Sequence, residues 1–163
     1  MTELLSRSPE ETERWAAILG TLVKTADVVG LSGELGAGKT TFVRGLARGL
    51  GCGARVLSPT FMVVREHTDG RIPLYHMDLY RLDGGDAFEL GLEDYFSADG
   101  VVAVEWPERA AGLIPDERLE VDLTFTGESE RTLRLAARGA RAESLLREWI
   151  GAVGPGAAEG GRR

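Results

Sequence analysis

Eight residues, GELGAGKT from Gly33 to Thr40, restrict this chain more than any other stretch. They satisfy G-x-x-x-x-G-K-[ST], a spacing in which glycines let the backbone turn sharply and bring successive N–H groups onto one anion. A helix that starts near the lysine adds its positive end to the same point. The flanks supply the context this pattern needs. DVVGLS, Asp27 to Ser32, is a short apolar run bounded by turn residues and reads as a buried strand. TTFVRGLARGL, Thr40 to Leu50, places its apolar residues at helical spacing, with Gly51 and Gly53 to end the helix. Between strand and helix the loop reads as a phosphate cradle, in which Lys39 reaches the β- and γ-phosphates and Thr40 sets its hydroxyl on Mg²⁺. A glycine-rich turn with a solvated lysine would need neither flank. The chain is therefore expected to bind a nucleoside triphosphate.

The rest of the pattern is that of one α/β domain. Residues 8 to 23 read as a helix, because Ser8, Pro9 and Glu11 supply N-cap, first-turn proline and capping-box acid, while Trp15, Ile18, Leu19 and Leu22 form one apolar stripe. Phe61 to His67 and Ile72 to Tyr80 flank TDGR and suggest a hairpin appended to the sheet. Asp86 to Phe96 suggests a short helix broken at Gly91, and VVAVE, Val101 to Glu105, a second buried strand. Leu119 to Thr126 and Arg131 to Ala137 alternate as half-buried strands around a turn, and residues 141 to 150 form a last helix. The expected fold is a small single-domain P-loop NTPase fold: a central, mostly parallel sheet, an added β-hairpin and flanking helices over residues 1–150. Residues 151–163, GAVGPGAAEGGRR, hold too little apolar matter to offset ordering and are expected to be a disordered tail.

Charge and absent residues narrow the function. The formal net charge of −7 over 163 residues opposes broad binding to nucleic acid or an anionic membrane, either of which needs a basic face. RNA, if involved, is expected to come through a partner. Cys52 is the single cysteine, which excludes an intramolecular disulfide, and no run is long and apolar enough to span a membrane. MTELLSRSPEETERW lacks the apolar core of a signal peptide, so a cytoplasmic home is expected. The chain contains no asparagine and no glutamine. Guanine-specific proteins with such a loop generally read the base with N-K-x-D, which cannot exist here, so ATP is favoured over GTP. Small GTPases also orient the attacking water with a glutamine. Without one, hydrolysis by the chain alone is expected to be slow.

A divalent ion on one threonine and two phosphates still needs acidic support. Glu105, at the end of VVAVE, stands where a Walker-B acid belongs, and Asp78 in YHMDLYR is the second candidate. Lys39, Glu105 and Asp78 are thus the candidate catalytic residues, and Thr40, Glu105 and Asp78 the candidate metal ligands. For both acids the plain alternative is a solvated carboxylate. Ser58, Pro59 and Thr60 form a loop whose hydroxyls could close over a γ-phosphate, or an ordinary proline turn; the sequence favours neither.

GELGAGKTT, SPTF, YHMDLYRL and VEWPER, in this order and at these separations, together resemble the TsaE family, bacterial ATPases of tRNA threonylcarbamoyladenosine synthesis. The likeness runs from about Ser8 to Phe125. It implies a small P-loop domain in which Gly33, Glu34, Leu35, Gly36, Ala37, Gly38, Lys39, Thr40 and Thr41 hold ATP and Mg²⁺. It makes Glu105 a Mg²⁺ ligand or its close support and gives Asp78 and Thr60 the matching acidic and switch-loop roles. Glu11, a capping-box residue on its own pattern, gains a second role beside the nucleotide. Trp106 is the family's tryptophan, either a core aromatic or a ring that shields the site or faces a partner. His76 reads as structural or hydrogen-bonding, and Arg131 as a solvated arginine or one that reaches the nucleotide. The resemblance also implies partners: a TsaD-like transferase that carries out the transfer to tRNA and a TsaB-like companion, with this chain supplying an ATP-dependent reset between turnovers.

Two other classes share the loop. A small-molecule P-loop kinase would need an arginine-rich lid, and between Val56 and Glu105 only Arg65, Arg71 and Arg81 occur, with no obvious lid insertion. A nucleotide-sensing module without turnover is also compatible with slow hydrolysis.

Overall fold

Among the residues that the computed structural model describes (2–53, 63–82, 89–97 and 99–154), apolar periodicity resolves into seven strands and three α-helices. In chain order they are β1 (Thr2–Ser6), α1 (Pro9–Leu22), β2 (Val28–Ser32), α2 (Lys39–Gly49), β3 (Val64–His67), β4 (Leu74–Asp78), β5 (Val101–Glu105), β6 (Arg118–Phe125), β7 (Arg131–Arg138) and α3 (Ala140–Val153). Short 3₁₀ helices occupy Leu92–Ser97 and Pro107–Ala110.

The strands form one sheet in the order β1-β7-β6-β2-β5-β4-β3. Pairings β6–β2, β2–β5 and β5–β4 are parallel, whereas β4–β3, β6–β7 and β7–β1 are antiparallel. The sheet is therefore mixed rather than mostly parallel, with a parallel centre and antiparallel edges. The expected β3–β4 hairpin is present and shorter than its sequence pattern, with Arg65 opposite His76. The difference from expectation lies mainly in β1. TELLS is too short to show alternation, but Leu4 is buried opposite Leu133 of β7 and closes that edge. The last helix also runs to Val153, three residues into the segment expected to be tail. The remaining tail, the start of the 86–96 helix and the SPTF loop lie outside the described residues.

Helices cover one face of the sheet. Leu19, Phe42, Leu46 and Trp149 pack on Val29, Leu31, Ala103, Val121 and Leu133. The other face buries Tyr75, Met77, Val102 and Val104 beneath Ala110, Leu113 and Ile114. Trp149 of α3 ties the helical layer together. Its ring meets Phe42 edge-on at 5.8 Å, and its Nε1–H donates to the Trp15 carbonyl at 2.8 Å. Such pairing lets the indole bury its polar edge without an orphan donor.

Helix α1 starts as its residues require: Ser8 Oγ accepts from the Glu11 N–H at 3.1 Å, and Pro9 takes the first helical position. Its contact with α2 rests on glycines that no pattern had marked. A Cβ on Gly45 would overlap the Glu13 carbonyl, and one on Gly49 the Ala17 carbonyl. Those contacts, four residues apart on each helix, run α1 and α2 in the same direction and set their starts side by side.

Gly49→Ala tests this contact. Alanine in a helix gains up to about 1 kcal/mol over glycine, but here the obstacle is backbone that cannot rotate away. Overpacking should win, with a net loss of about 1–3 kcal/mol, read as a lower urea midpoint at unchanged slope.

Candidate functional site

The parallel register gathers the chemistry at the carboxyl ends of the central strands. Asp78 of β4 stands opposite Glu105 of β5, and Glu105 opposite Leu31 of β2, just before the glycine loop. In that loop Gly33, Gly36 and Gly38 have φ of +139°, +81° and +105°, a region costly for residues with a Cβ. At Gly33 a Cβ would also overlap the Leu123 carbonyl of β6. Helix α2 then begins at Lys39 with Gly38 as N-cap and no side-chain cap. The N–H groups of Lys39, Thr40 and Thr41 thus have no partner within the helix, and the loop's flank of Glu34, Leu35 and Gly36 is exposed. Such a helix start, with unpaired N–H groups and no side-chain cap, can receive an anion.

Lys39 is only 4% exposed. Its ammonium donates to the loop's own carbonyls, Gly33 at 2.5 Å and Glu34 at 2.9 Å. Nζ also lies 4.1 Å from the centre of the Trp106 ring. Burial pulls its pKa below the ordinary lysine value, against the pull of Glu105, Asp78, Glu108 and Asp122, which favour the charge. A lysine held by its own loop is poised to exchange carbonyl oxygens for those of a bound anion.

Thr40 and Glu105 meet directly, the hydroxyl lying 3.1 Å from Oε1 and 3.3 Å from Oε2. Glu105 is 3% exposed, and its Oε2 lies 2.5 Å from His76 Nε2. Side chains two apart on a strand share a face. His76 and Asp78 therefore project on the same side as Ala103 and Glu105, toward α2, and the small Ala103 opposite His76 leaves room for its ring. Asp78 Oδ1 accepts from the Tyr80 N–H at 3.1 Å, which shapes the chain as it leaves β4. Among the described residues no group of three or more His, Cys, Asp or Glu is arranged to hold a metal alone. A threonine hydroxyl, one carboxylate and a second acid nearby instead suit a hard ion that brings most of its oxygens with it, as Mg²⁺ on a triphosphate does.

Trp106 follows Glu105 with a left-handed backbone, φ 60° and ψ 52°, rare for a bulky residue and a mark of functional constraint. That bend lays the indole over Lys39. Tyr80 stacks on its ring at 4.9 Å, and the Arg109 guanidinium lies 5.9 Å from the Tyr80 ring. Trp106 is thus both things at once: half-buried, it packs on the second core face and also holds its ring over Lys39.

Glu11 stays with its helix start: its N–H bonds Ser8, its Oε1 accepts from the Arg7 N–H at 3.2 Å, and Arg14 lies 3.6 Å away. The parallel run of α1 and α2 places that start near the loop. Thr41 is half-buried on the first turn of α2. Thr60, with Ser58, lies outside the described residues. Arg131 corrects the reading of a solvated arginine. From the start of β7 its Nε donates to the Ala37 carbonyl at 3.1 Å, and its guanidinium lies 4.0 Å from the Phe125 ring. It is a strut beneath the loop; the sequence singles Arg131 out only as an arginine that reaches the nucleotide or stays solvated, and no local pattern gives the Ala37 carbonyl as its partner. His76 was more accessible to reasoning, since its two-residue spacing from Asp78 already puts both on one face.

Fold and site together define a class: a single α/β domain whose chemistry-bearing side chains surround a glycine loop at the carboxyl edge of parallel strands. The family model described as "Threonylcarbamoyl adenosine biosynthesis protein TsaE" matches residues 6–133. The tRNA threonylcarbamoyladenosine biosynthesis protein TsaE of Bacillus subtilis (strain 168) is 44% identical over 141 residues, 86% of this chain and 89% of that protein. The protein of the same name from Nostoc sp. is 42% identical over 135 residues, 80% of this chain and 83% of that one. The crystal structure of Bacillus subtilis YdiB superposes with a TM-score of 0.78 at 39% identity, covering 90% of this chain and 92% of that chain. The chain belongs to the TsaE family.

Removing the strut should loosen the loop without dismantling the fold. Arg131→Ala is expected to cost about 0.5–1.5 kcal/mol, the net worth of an ordinary hydrogen bond. Amide hydrogen exchange should quicken at Ala37, whose N–H donates to the Glu34 carbonyl at 3.0 Å, while the amides of β2 and β5 keep their protection.

Proposed function

We propose that this chain is an ATP-binding, slowly hydrolysing ATPase required for threonylcarbamoylation of the tRNA adenosine adjacent to the anticodon. The observation that carries this reading is Lys39: a buried ammonium satisfied by the carbonyls of a glycine loop whose N–H groups are left for an anion. Triphosphate oxygens would replace those carbonyls as acceptors, with Lys39 against the β- and γ-phosphates and the start of α2 on the β-phosphate. The Thr40 hydroxyl and the Glu105 carboxylate would hold Mg²⁺, with Asp78 beside them on β4. When bound, that ion supplies neutralisation of the charge that builds on the phosphate oxygens during transfer.

The residues this chain lacks support both halves of the reading. With no asparagine it lacks the usual guanine reader, which favours ATP. With no glutamine, a carboxylate or a partner's residue has to orient the attacking water. Leu35 and Phe125 rim the loop at 70% and 43% exposed, apolar surface that a partner would cover. The partners of this reading are a TsaD-like transferase and a TsaB-like companion. The net charge of −7 leaves tRNA to them and makes this chain the ATP-dependent element that resets the complex between turnovers.

Two variants separate binding from turnover. Lys39→Ala should abolish binding of a fluorescent ATP analogue, because it removes the charge held against the phosphates. Glu105→Ala should retain much of that binding but release phosphate about 10²–10³-fold more slowly in the presence of both partners, the scale of losing one preorganised electrostatic contact. Wild-type phosphate release that both substitutions leave unchanged in the reconstituted complex would overturn the assignment.

A further inference from the structure

His76 is wholly buried, yet only one of its two nitrogens is used. Nε2 faces Glu105 Oε2, and among the described residues Nδ1 is buried without a hydrogen-bond partner. An unpaired buried polar atom is a standing cost that demands an explanation. An apolar side chain would avoid it, as Leu74 does two residues earlier on the same face of β4. Fold stability alone therefore disfavours imidazole at this position. Among the described residues, the ring's one hydrogen bond is the one to Glu105.

That contact fixes an oxygen of the carboxylate beside Thr40. Oε2 has the imidazole on its sheet side and the Thr40 hydroxyl at 3.3 Å, while Oε1 is turned to the hydroxyl at 3.1 Å. A glutamate has three rotatable side-chain bonds, and a carboxylate free to rotate would present either oxygen or neither. We propose that His76 is a positioning residue for Glu105: by holding Oε2 it aims Oε1 at the Thr40 hydroxyl, where the metal end of the triphosphate is bound. The physical logic is that of partners which orient metal-binding side chains from behind, whose loss costs about 10–100-fold in metal affinity or activity. The inference rests on the reading of Thr40 and Glu105 as the metal end of an ATP site.

The test uses the full chain loaded with ATP and Mn²⁺ as the probe, its affinity followed by electron paramagnetic resonance. His76→Leu is expected to weaken Mn²⁺ binding about 10–100-fold, while ATP still binds in EDTA. His76→Gln, which keeps an N–H donor near the Nε2 position, should restore most of the loss. In the Glu105→Ala background His76→Leu should add nothing further, because the two act as one unit. With both partners present, kcat should fall while KM for ATP changes little.

Mn²⁺ affinity unchanged in His76→Leu but weakened in Glu105→Ala would overturn the positioning role and leave the ATP site standing. Affinity unchanged in both would overturn the positioning role together with the reading it rests on. Should His76→Leu fail to fold, imidazole ¹⁵N spectra of the wild-type chain decide the matter. The His76 Nε2–H signal should be protected from solvent and shift on Glu105→Gln, and a signal indifferent to that substitution would overturn the proposal.

Discussion

A buried ammonium has to be solvated by something, and in this fold the glycine loop does it. Lys39 is nearly inaccessible to water, so its charge depends on the Gly33 and Glu34 carbonyls, the Trp106 ring and the acids beyond. The loop must curl to bring those carbonyls inward, which is why its glycines adopt left-handed conformations. The same curl turns N–H groups outward at the start of α2. One backbone path thus satisfies the cation inside and leaves donors for an anion outside. Arg131, donating to Ala37 from β7, braces that path against the far side of the sheet.

The sheet supplies the opposite charge at a fixed distance. Parallel pairing of β4, β5 and β2 brings Asp78, Glu105 and the loop entrance to one edge in register, so no side chain has to stretch to reach the site. The Thr40–Glu105 hydrogen bond then locks the first turn of α2 to the strand ends. Glycine contacts between α1 and α2 hold that helix close from behind, and Trp149 fills the layer beneath it. The antiparallel outer strands, β3 on one side and β7 with β1 beyond it on the other, contribute little chemistry apart from Arg131. Their role is to close the sheet around its parallel centre.

Much of this was legible before any coordinates. The strand–loop–helix unit follows from DVVGLS and GELGAGKTT, and the strand-end placement of Glu105 from VVAVE, because short apolar runs bounded by turn residues leave few alternatives. Three things were not legible, each for a physical reason. β1 is too short to display a period, and its strand character depends on β7 as a partner. Arg131 stood out as an arginine near the nucleotide, but its bond to the Ala37 carbonyl depends on the fold carrying β7 beneath the loop. The orientation of Trp106 depends on a left-handed backbone that tertiary contacts impose on a residue with no local preference for it. His76 falls between these cases: its face could be read from the YHMD alternation, but its bond to Glu105 needed the register of β4 against β5.

The central claim is that the loop carbonyls on Lys39 hold the place of a triphosphate. A crystal structure of the chain with a non-hydrolysable ATP analogue and Mg²⁺ tests it most directly. The account requires the Lys39 ammonium to have left Gly33 and Glu34 for the β- and γ-phosphate oxygens, with the ion on the Thr40 hydroxyl. Lys39 still bonded to both carbonyls, with the nucleotide bound elsewhere, would contradict it.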